Sequence, residues 1–425
     1  MRTVRPGVLP RPVAFWLVGV ALGVFLFAAS APSPLYVVYQ AEFGFSAITL
    51  TSVFAVYVVA LLATLLFTGS LSDTVGRRPV LVGAMLLEIA AMALFVAARD
   101  VTWLFAARIV QGVATGAATG ALSASLIDLG PHRNPSLGPL VNSVVPGAGL
   151  AVGALGTGLL VQYAPAPTQL VFFVLVGALA IAVIGTLVMG EPLASPSKGR
   201  ASLRPRVGIP RQARGRFAAA APSLVATWAL GGLYLSLGPS VAAGILHVAS
   251  HLVGGLVIFA LAGAGAVTAI LLRSWASRRL MLLGAVGLVL GVGVTLLALS
   301  MRSTPIFFAG TIVAGSGFGS AFLGAFRTVS ALAAPDQRAG LIAAVYIVSY
   351  LALSLPAVAA GIAVTLVGLP TTSVVYGGGI AALATAAAIA TLAQGRGDRA
   401  RAAGAHDAPC ASTPAPAAED ADRAA

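Results

Sequence analysis

The sequence has few charged residues and almost no cysteine. Only 9% of its 425 residues are charged, against about a quarter in an ordinary soluble domain. Its single cysteine, Cys410, lies in the polar C-terminal segment, so the chain can form neither an internal disulfide nor a cysteine metal cluster. Hydrophobic residues make up 59% of the chain, more than a soluble core requires. These features argue against a soluble or disulfide-stabilised protein and indicate a membrane protein.

Sequence patterns typical of enzymes are also missing. The histidines lie apart, with His132 in a loop, His247 and His251 at the ends of apolar runs and His406 in the tail. No phosphate-binding Gly-x4-Gly-Lys-Ser/Thr loop is present. We therefore predict that the chain is not an enzyme and that it carries no cofactor, no metal site and no ATP-driven motor. A membrane receptor or an intramembrane enzyme is the less favoured class.

The strong positive charge does not indicate a nucleic-acid partner. The formal net charge is +13, but the basic residues neither share one helical face nor alternate with exposed aromatic residues, as a nucleic-acid groove requires. They lie in loops between apolar runs. We expect the lipid bilayer, and no nucleic acid, to be the partner of this chain's surface.

Twelve apolar runs are each long enough to cross the hydrocarbon core of a bilayer. They cover residues 13–31, 46–68, 79–98, 102–127, 138–162, 168–190, 222–246, 251–273, 280–300, 305–329, 340–364 and 371–394. We therefore predict an all-α membrane protein with twelve transmembrane helices. The first run also fits a signal peptide, but its removal would leave an odd number of spans.

Basic residues concentrate in every second connection. Of the 25 lysines and arginines, only Arg99 and Arg302 fall in connections on the side opposite the N-terminus, and only Arg108 lies in the interior of a span, since Arg273 and Arg327 stand at the cytoplasmic ends of theirs. Cytoplasmic loops carry such an excess of basic residues. We predict a multi-pass protein of the cell inner membrane with both termini in the cytoplasm. Its outer loops should lie near residues 35–45, 99–101, 163–167, 247–250, 301–304 and 365–370.

The chain divides into two similar halves. The predicted segments are a cytoplasmic N-terminus (1–12), a six-helix bundle (13–190), a basic cytoplasmic linker (191–221), a second six-helix bundle (222–394) and a disordered cytoplasmic tail (395–425). Paired arginines follow the second span at 77–78 and the eighth at 278–279. Duplicated halves are typical of several transporter folds.

The loop after the second span carries a family resemblance. Residues 69–81 read Gly-Ser-Leu-Ser-Asp-Thr-Val-Gly-Arg-Arg-Pro-Val-Leu. This segment resembles the signature of the major facilitator superfamily, G-x-L-x-D-x-x-G-R-R-P-x-L, at every fixed position. Arg108, Gln111 and Gly112 resemble the superfamily's R-x-x-Q-G motif. The resemblance covers residues 13–394 and implies the major facilitator fold, in which two six-helix bundles surround a cavity that opens alternately to each side.

The fifth span only partly matches the motif g-x-x-x-G-P-x-x-G-G of the superfamily's antiporters. Gly149, Gly153 and Gly158 match, whereas Ala154 stands in place of the proline and Thr157 in place of a glycine. The resemblance to drug:proton antiporters therefore suggests antiport without securing it.

The resemblance implies a gating cluster on the cytoplasmic side. Its members are Gly69, Asp73, Gly76, Arg77, Arg78 and Asp128. In the family, Asp73 would meet a helix N-terminus of the other half and Arg77 would pair with Asp128, which together would latch the two bundles. The alternative is a cluster that only orients the chain in the membrane.

Two charged residues lie inside spans and are candidates for a cavity or a coupling site. An unpaired charge at membrane depth is costly, so Arg108 should face a cavity or a partner, and Gln111 shares its face. We expect both to shape the polar floor of the cavity, although Arg108 could instead reach the outer interface. Glu88 is the sole acid inside a span, and it either carries the coupled proton or has a hydrogen-bonded structural role.

Several polar and aromatic residues within the spans can line an apolar cavity and contact a substrate, with simple packing as the alternative. They are Tyr57, Asn142, Trp228, Tyr234 and Tyr350. Together these features predict a monomeric secondary transporter that uses protons to export a drug-like or lipophilic small-molecule substrate. Proton-coupled uptake or uniport of a sugar or an organic anion is the alternative, because Arg108 could bind an anion.

Overall fold

A computed structural model describes residues 9–68, 71–131, 133–192, 207–248, 250–331 and 338–406, and within these residues all regular structure is helical. The helices are α1 (Arg11–Ser30), α2 (Pro32–Phe43), α3 (Ala47–Thr68), α4 (Leu71–Val75), α5 (Arg77–Val96), α6 (Val101–Asp128), α7 (Leu137–Tyr163), α8 (Leu170–Val188), α9 (Arg214–Ser236), α10 (Gly238–Gly244), α11 (His251–Leu271), α12 (Ser277–Ser300), α13 (Thr304–Ser330) and α14 (Arg338–His406). A short 3₁₀ helix, Arg211–Ala213, precedes α9.

Within the described residues, eleven helical stretches are long and apolar enough to cross a membrane. The last of them, Gly340–Gln394, has 55 residues, more than twice the length that one crossing needs. It is interrupted at Gly368, whose φ of +81° is not helical. This stretch therefore supplies two spans, and the predicted all-α membrane architecture is confirmed.

The two legs of α14 run in opposite directions. Leu341, near the beginning of α14, belongs to the same apolar cluster as Met281. Near the end of the second leg, the carbonyl oxygen of Thr391 accepts a hydrogen bond from Arg278 Nε at 3.4 Å. Both ends of the stretch thus lie beside the beginning of α12. The chain must reverse between them, at Gly368.

The helix ends define two sides of the molecule. We call the side that holds Gly76, Leu129 and Trp275 the basic side, and the side that holds Gly44 and Met301 the far side. The first half comprises α1 to α8, and the second half comprises α9 to α14 as far as Gln394.

A repeated contact on the basic side relates the two halves. Arg78 donates a hydrogen bond to the carbonyl oxygen of Leu187, near the end of the sixth span. Arg278 makes the equivalent bond to Thr391, near the end of the twelfth span. In each half, the second residue of the third span's helix therefore donates to a carbonyl group near the basic-side end of the sixth span. In the first half this carbonyl belongs to the last turn of α8, where helical donors run out.

Two pairs of helices join the halves on the far side. The fifth span meets the eighth, where Gln162 Oε1 accepts hydrogen bonds from the backbone N–H of His251 at 3.0 Å and from Ser250 Oγ at 3.3 Å. The second span meets the eleventh, where a Cβ on Gly361 would collide with Thr51. Close contact at these two seams holds the far ends of the bundles together.

Glycines allow α6 to pack tightly against α3. A side chain at Gly112 or Gly116 would collide with the backbone carbonyl oxygens of Tyr57 or Leu61, respectively. A Cβ at Gly120, in contrast, would have no neighbour within 4 Å. Only the first two glycines of this stripe are needed for the close approach that small residues permit.

Four predicted boundaries differ from the structure. The predicted loop at 35–45 is largely helical, because Pro32 suits the first turn of α2. The loop predicted at 365–370 is reduced to a break at Gly368. The predicted linker ends early, since α9 begins at Arg214 and contains Pro222 as an interior residue. The predicted disordered tail is helical as far as His406, consistent with its many alanines, and residues 407–425 lie outside the described part.

Candidate functional site

Two prolines, Pro32 and Pro34, interrupt the first span between α1 and α2. Proline has no N–H group, so the carbonyl oxygen of Ala28, four residues before Pro32, loses its helical donor. A carbonyl group at membrane depth needs another partner. Gln111 Nε2 on α6 donates to this oxygen at 3.0 Å. Gln111 of the R-x-x-Q-G motif therefore replaces the helical hydrogen bond that the first span lacks at Pro32.

Arg108, one turn before Gln111, binds the next carbonyl group of the first span. Its Nη1 donates to the carbonyl oxygen of Ala29 at 3.1 Å and to Gln111 Oε1 at 2.7 Å. Its Nε and Nη2 both donate to the hydroxyl oxygen of Tyr36, at 3.0 Å and 2.6 Å. The ring of Tyr57 lies 5.1 Å from the guanidinium, a favourable cation–π distance. Arg108 is fully buried, and each of its donor nitrogens has an acceptor.

Glu88 joins this network through Gln111. Gln111 Nε2 also donates to Glu88 Oε1 at 3.0 Å, so the amide lies between the carboxyl group and the arginine. Glu88 is fully buried, and its Oε2 has no hydrogen-bond partner among the described residues. We call Tyr36, Glu88, Arg108 and Gln111 the buried polar network.

The structure thus brings together the three residues that the sequence singles out for coupling, but it does not place Arg108 and Gln111 on the floor of an open cavity. Both are buried inside the first half because they bind the backbone of the first span. Tyr36 was not among the sequence candidates. The prolines that follow Ala31 are the signal that could have revealed this side of the network.

On the basic side, Arg77 lies between two helices. Its Nε is 3.3 Å from Asp128 Oδ2, at the end of the fourth span, and its Nη1 donates to Ser72 Oγ at 2.7 Å. The sequence-based gating cluster also includes Gly69 and Asp73. Gly69 and the side chain of Asp73 lie outside the described residues.

Glu191 is a further member of this cluster that sequence reasoning missed. Its Oε1 accepts the backbone N–H of Arg77 at 2.7 Å and its Oε2 accepts that of Arg78 at 3.1 Å. These are the first residues of α5, where unpaired N–H groups and the helix dipole attract an anion. Gly76, with φ of +111°, precedes them, and a Cβ there would lie 2.8 Å from Glu191 Oε2. The carboxylate therefore ties the end of the sixth span to the start of the third.

Aromatic side chains gather in the second half where it faces the first. Trp228 contacts Phe322 and Tyr350 edge-on, with ring centroids 5.5 Å and 5.2 Å apart. The ring centroid of Phe322 lies 5.8 Å from that of Phe326, and Tyr350 stacks on Tyr346 with ring centroids 6.0 Å apart. All five side chains are half-buried. We call these five residues the aromatic cluster.

The remaining substrate candidates are distributed around the molecule. Tyr57 belongs to the first half, in the buried apolar cluster against which Trp228 and Tyr350 pack. Tyr234 lies within the second half, where its hydroxyl is 2.9 Å from Thr311 Oγ1 and its ring lines a cavity of about 40 Å³. Asn142 is half-buried on α7 of the first half. Of the five candidates, Trp228 and Tyr350 are thus in direct contact, with Tyr57 near them.

Comparison with known proteins agrees with this architecture. A family model described as Major Facilitator Superfamily matches residues 18–357. No curated protein matches the sequence significantly. Among solved structures, the human organic anion transporter MFSD10 (TETRAN) is similar, with a TM-score of 0.62 and 17% identity over 89% of this chain and 100% of that one.

A second similar structure is a mutant of the nucleoside transporter NupG, with a TM-score of 0.66 and 14% identity over 89% of this chain and 99% of that one. At these identities the likeness shows the fold alone and does not identify the substrate of this chain.

Proposed function

The chain belongs to the Major Facilitator Superfamily, and we propose that it exports a drug-like or lipophilic small molecule in exchange for protons. Its family and its membrane-spanning helices assign the chain to the general class of membrane transporters. The buried polar network carries the proposal of proton coupling, and the apolar contact region between the halves supports a lipophilic substrate. The proposed location is the cell inner membrane, with the basic side in the cytoplasm, because the connections on that side are rich in arginine.

Proton coupling needs a group whose proton changes the structure around it. Glu88 shares Gln111 with Arg108, and both Gln111 and Arg108 hold the carbonyl groups of the broken first span. As a carboxylate, Glu88 balances the buried charge of Arg108. When Glu88 binds a proton, it becomes a donor and that balance is lost. The hydrogen bonds to the first span must then readjust, which links the proton to the position of a helix.

The anion alternative has less support. An anionic substrate would need free donors on Arg108, yet the described acceptors already occupy its nitrogens. Arg108 is also fully buried within the first half. These contacts favour a structural and coupling role for Arg108 over direct binding of a sugar acid or another organic anion.

A transport screen with three dyes tests the proposed function. Cells with and without the protein are loaded with Nile red, which is uncharged, with ethidium, which is a cation, or with fluorescein, which is an anion. We expect the protein to accelerate efflux of the uncharged dye, and a protonophore should remove this effect. Dye movement that ignores the protonophore would contradict proton coupling, and net uptake would contradict export.

Glu88→Gln tests the coupling group. In proteoliposomes with an imposed pH gradient, this variant should lose gradient-driven transport but keep exchange of dye at equal pH, because the amide cannot carry a proton. The matched control is Glu42→Gln, which removes an exposed carboxylate on the far side and should transport normally. Full gradient-driven transport by Glu88→Gln would refute the role of Glu88.

A further inference from the structure

The aromatic cluster lies between the halves of the transporter. Trp228, Phe322 and Tyr350 come from the seventh, tenth and eleventh spans. Trp228 and Tyr350 also pack against a buried apolar cluster that joins the core of the first half to Leu353, Ala357 and Ala360 of the eleventh span. Transporters built from repeats bind substrate near the membrane midplane, at the interface between repeats. Trp228 and Tyr350 lie within a few residues of the middle of their spans, whereas Phe322 lies in the basic-side half of the tenth span. The cluster therefore extends from near the midplane toward the basic side.

The geometry of the rings suits a flat ligand. The planes of Phe322 and Tyr350 make angles of 74° and 64° with the indole of Trp228. Because both neighbours stand steeply to the indole, the three rings form a corner instead of a stack. A planar aromatic molecule in that corner can stack on one ring and meet another edge-on, which are the two favourable arrangements of aromatic pairs.

One polar atom in the corner lacks a partner. The indole Nε1 of Trp228 is buried, and no described residue accepts its hydrogen bond. This group can only donate, and a buried donor without an acceptor is costly. Buried tryptophans usually find such a partner. An acceptor atom on a ligand would supply it.

The surroundings of the corner disfavour a charged ligand. Residues 217–246, 303–326 and 340–364, which contain the cluster, include no Asp, Glu, Lys or Arg. Arg327 follows Phe326 directly, but its guanidinium donates to the carbonyl oxygen of Arg273 at the basic side. In the first half, the guanidinium of Arg108 lies 5.1 Å from the ring of Tyr57, but each of its three nitrogens already donates a hydrogen bond within the buried polar network. An ionised ligand would therefore enter an apolar region without a counter-charge, at a large desolvation cost.

From these observations we infer that the aromatic cluster binds an uncharged, planar aromatic molecule with a hydrogen-bond acceptor, and that Trp228 Nε1 donates to this acceptor. The inference rests on the proposed function, since it assigns the substrate class of the transporter's central site. It makes Trp228 a specificity-determining residue.

Fluorine NMR on the full chain tests the inference. The chain has four tryptophans, and Trp16, Trp103 and Trp275 are exposed, so replacing these three with phenylalanine leaves Trp228 as the only site for fluorotryptophan. The purified protein in detergent is titrated with quinoline, which has an acceptor nitrogen, and with naphthalene, which has the same shape without it. N-methylquinolinium and naphthoate are the cationic and anionic arms. A protein labelled only at Trp103 reports uptake of the probes by the micelle.

We expect quinoline to shift the Trp228 resonance saturably and to bind at least fivefold more tightly than naphthalene, as one added hydrogen bond implies. It should also bind more tightly than either ion, because an ion would lose its hydration without gaining a counter-charge. In Trp228→Phe, equilibrium dialysis with radiolabelled probes should show that the preference of quinoline over naphthalene disappears. Equal binding of naphthalene would refute the donor role. Tighter binding of either ion would refute the uncharged class, and the absence of saturable binding would refute the site.

The two proposals can fail separately. If the protein shows proton-driven efflux of dyes but quinoline does not bind at Trp228, only the inference about the substrate class is wrong. If quinoline binds at Trp228 as expected but no pH gradient drives its transport in proteoliposomes, only the proposed function is wrong.

Discussion

Removing the carboxylate of Glu191 should loosen the start of the third span. Glu191 accepts two backbone N–H groups at the first turn of α5, at 2.7 Å and 3.1 Å. Loss of a helix cap costs about 0.5–2 kcal/mol, and a partly buried charge at a helix end contributes up to about 2 kcal/mol. These two estimates overlap because they describe the same contact. We therefore expect Glu191→Ala to lose about 2 kcal/mol of folding stability and Glu191→Gln about 1 kcal/mol.

The size of this effect depends on whether the contact persists through the transport cycle. If Glu191 binds α5 in only one of the two alternating states, a loss of about 2 kcal/mol shifts their ratio about 25-fold, since about 1.4 kcal/mol corresponds to tenfold. If the contact is present in both states, the protein loses stability but the ratio stays the same. The first outcome supports a gate and the second supports a static brace.

Two measurements on the same variants distinguish these outcomes. Thermal unfolding of the purified protein reports stability. The labelling rate of a cysteine engineered at Val75 reports the ratio of the two states, because Val75 is exposed beside the gating cluster. The Val75→Cys variants also carry Cys410→Ser. Glu42→Ala is the matched control because its carboxylate is exposed on the far side. If Glu191→Ala matches this control in both measurements, the reasoning about the cap is refuted.

Three further predictions concern packing, topology and communication. Gly116→Ala should lower stability by about 1–3 kcal/mol through overpacking against Leu61, whereas Gly120→Ala should be neutral, and thermal unfolding that ranks the two variants equally would contradict the packing. On a Cys410→Ser background, Pro165→Cys should react with an impermeant maleimide added outside intact cells and Val75→Cys should not; the reverse pattern would invert the orientation. Tyr57→Ala and Tyr350→Ala should show an interaction free energy of at least about 0.5 kcal/mol in a double-mutant cycle of proton-driven transport, and additive effects would exclude coupling between them.

Composition was enough to predict the spans, because a membrane helix is recognised by its length and apolar character. The prediction of helix boundaries failed where it relied on a proline. Pro222 suggests a helix start when it is read locally, yet α9 extends before it to Arg214. The helical segment before Pro222 contains four consecutive alanines, and alanine favours a helix more than any other residue. Local rules of this kind are overridden by neighbouring residues and by packing.

Residues of the candidate site could be predicted only where they belong to a known motif or are of a type that is rare inside a span. Glu88 and Arg108 stood out because charge is rare inside a span. Tyr36 and Glu191 did not, since each acts through partners more than 70 positions away in the chain. Nothing in the local sequence around Glu191 shows that it caps α5. Such partners depend on how the helices assemble, and that requires the three-dimensional structure.

Charge is distributed unequally between the halves, and this constrains any coupling mechanism. Inside the spans, both charged residues, Glu88 and Arg108, belong to the first half, whereas the aromatic cluster belongs to the second. A proton on Glu88 cannot therefore act on a ligand at Trp228 by direct contact within one half. On the proposed function, its effect must cross one of the two seams between the halves, and the seam between the second and eleventh spans carries Tyr350 of the aromatic cluster. The ring of Tyr57 lies 5.1 Å from the guanidinium of Arg108, and Tyr57 belongs to the apolar cluster on which Tyr350 packs, so Tyr57 is well placed to connect the two sites.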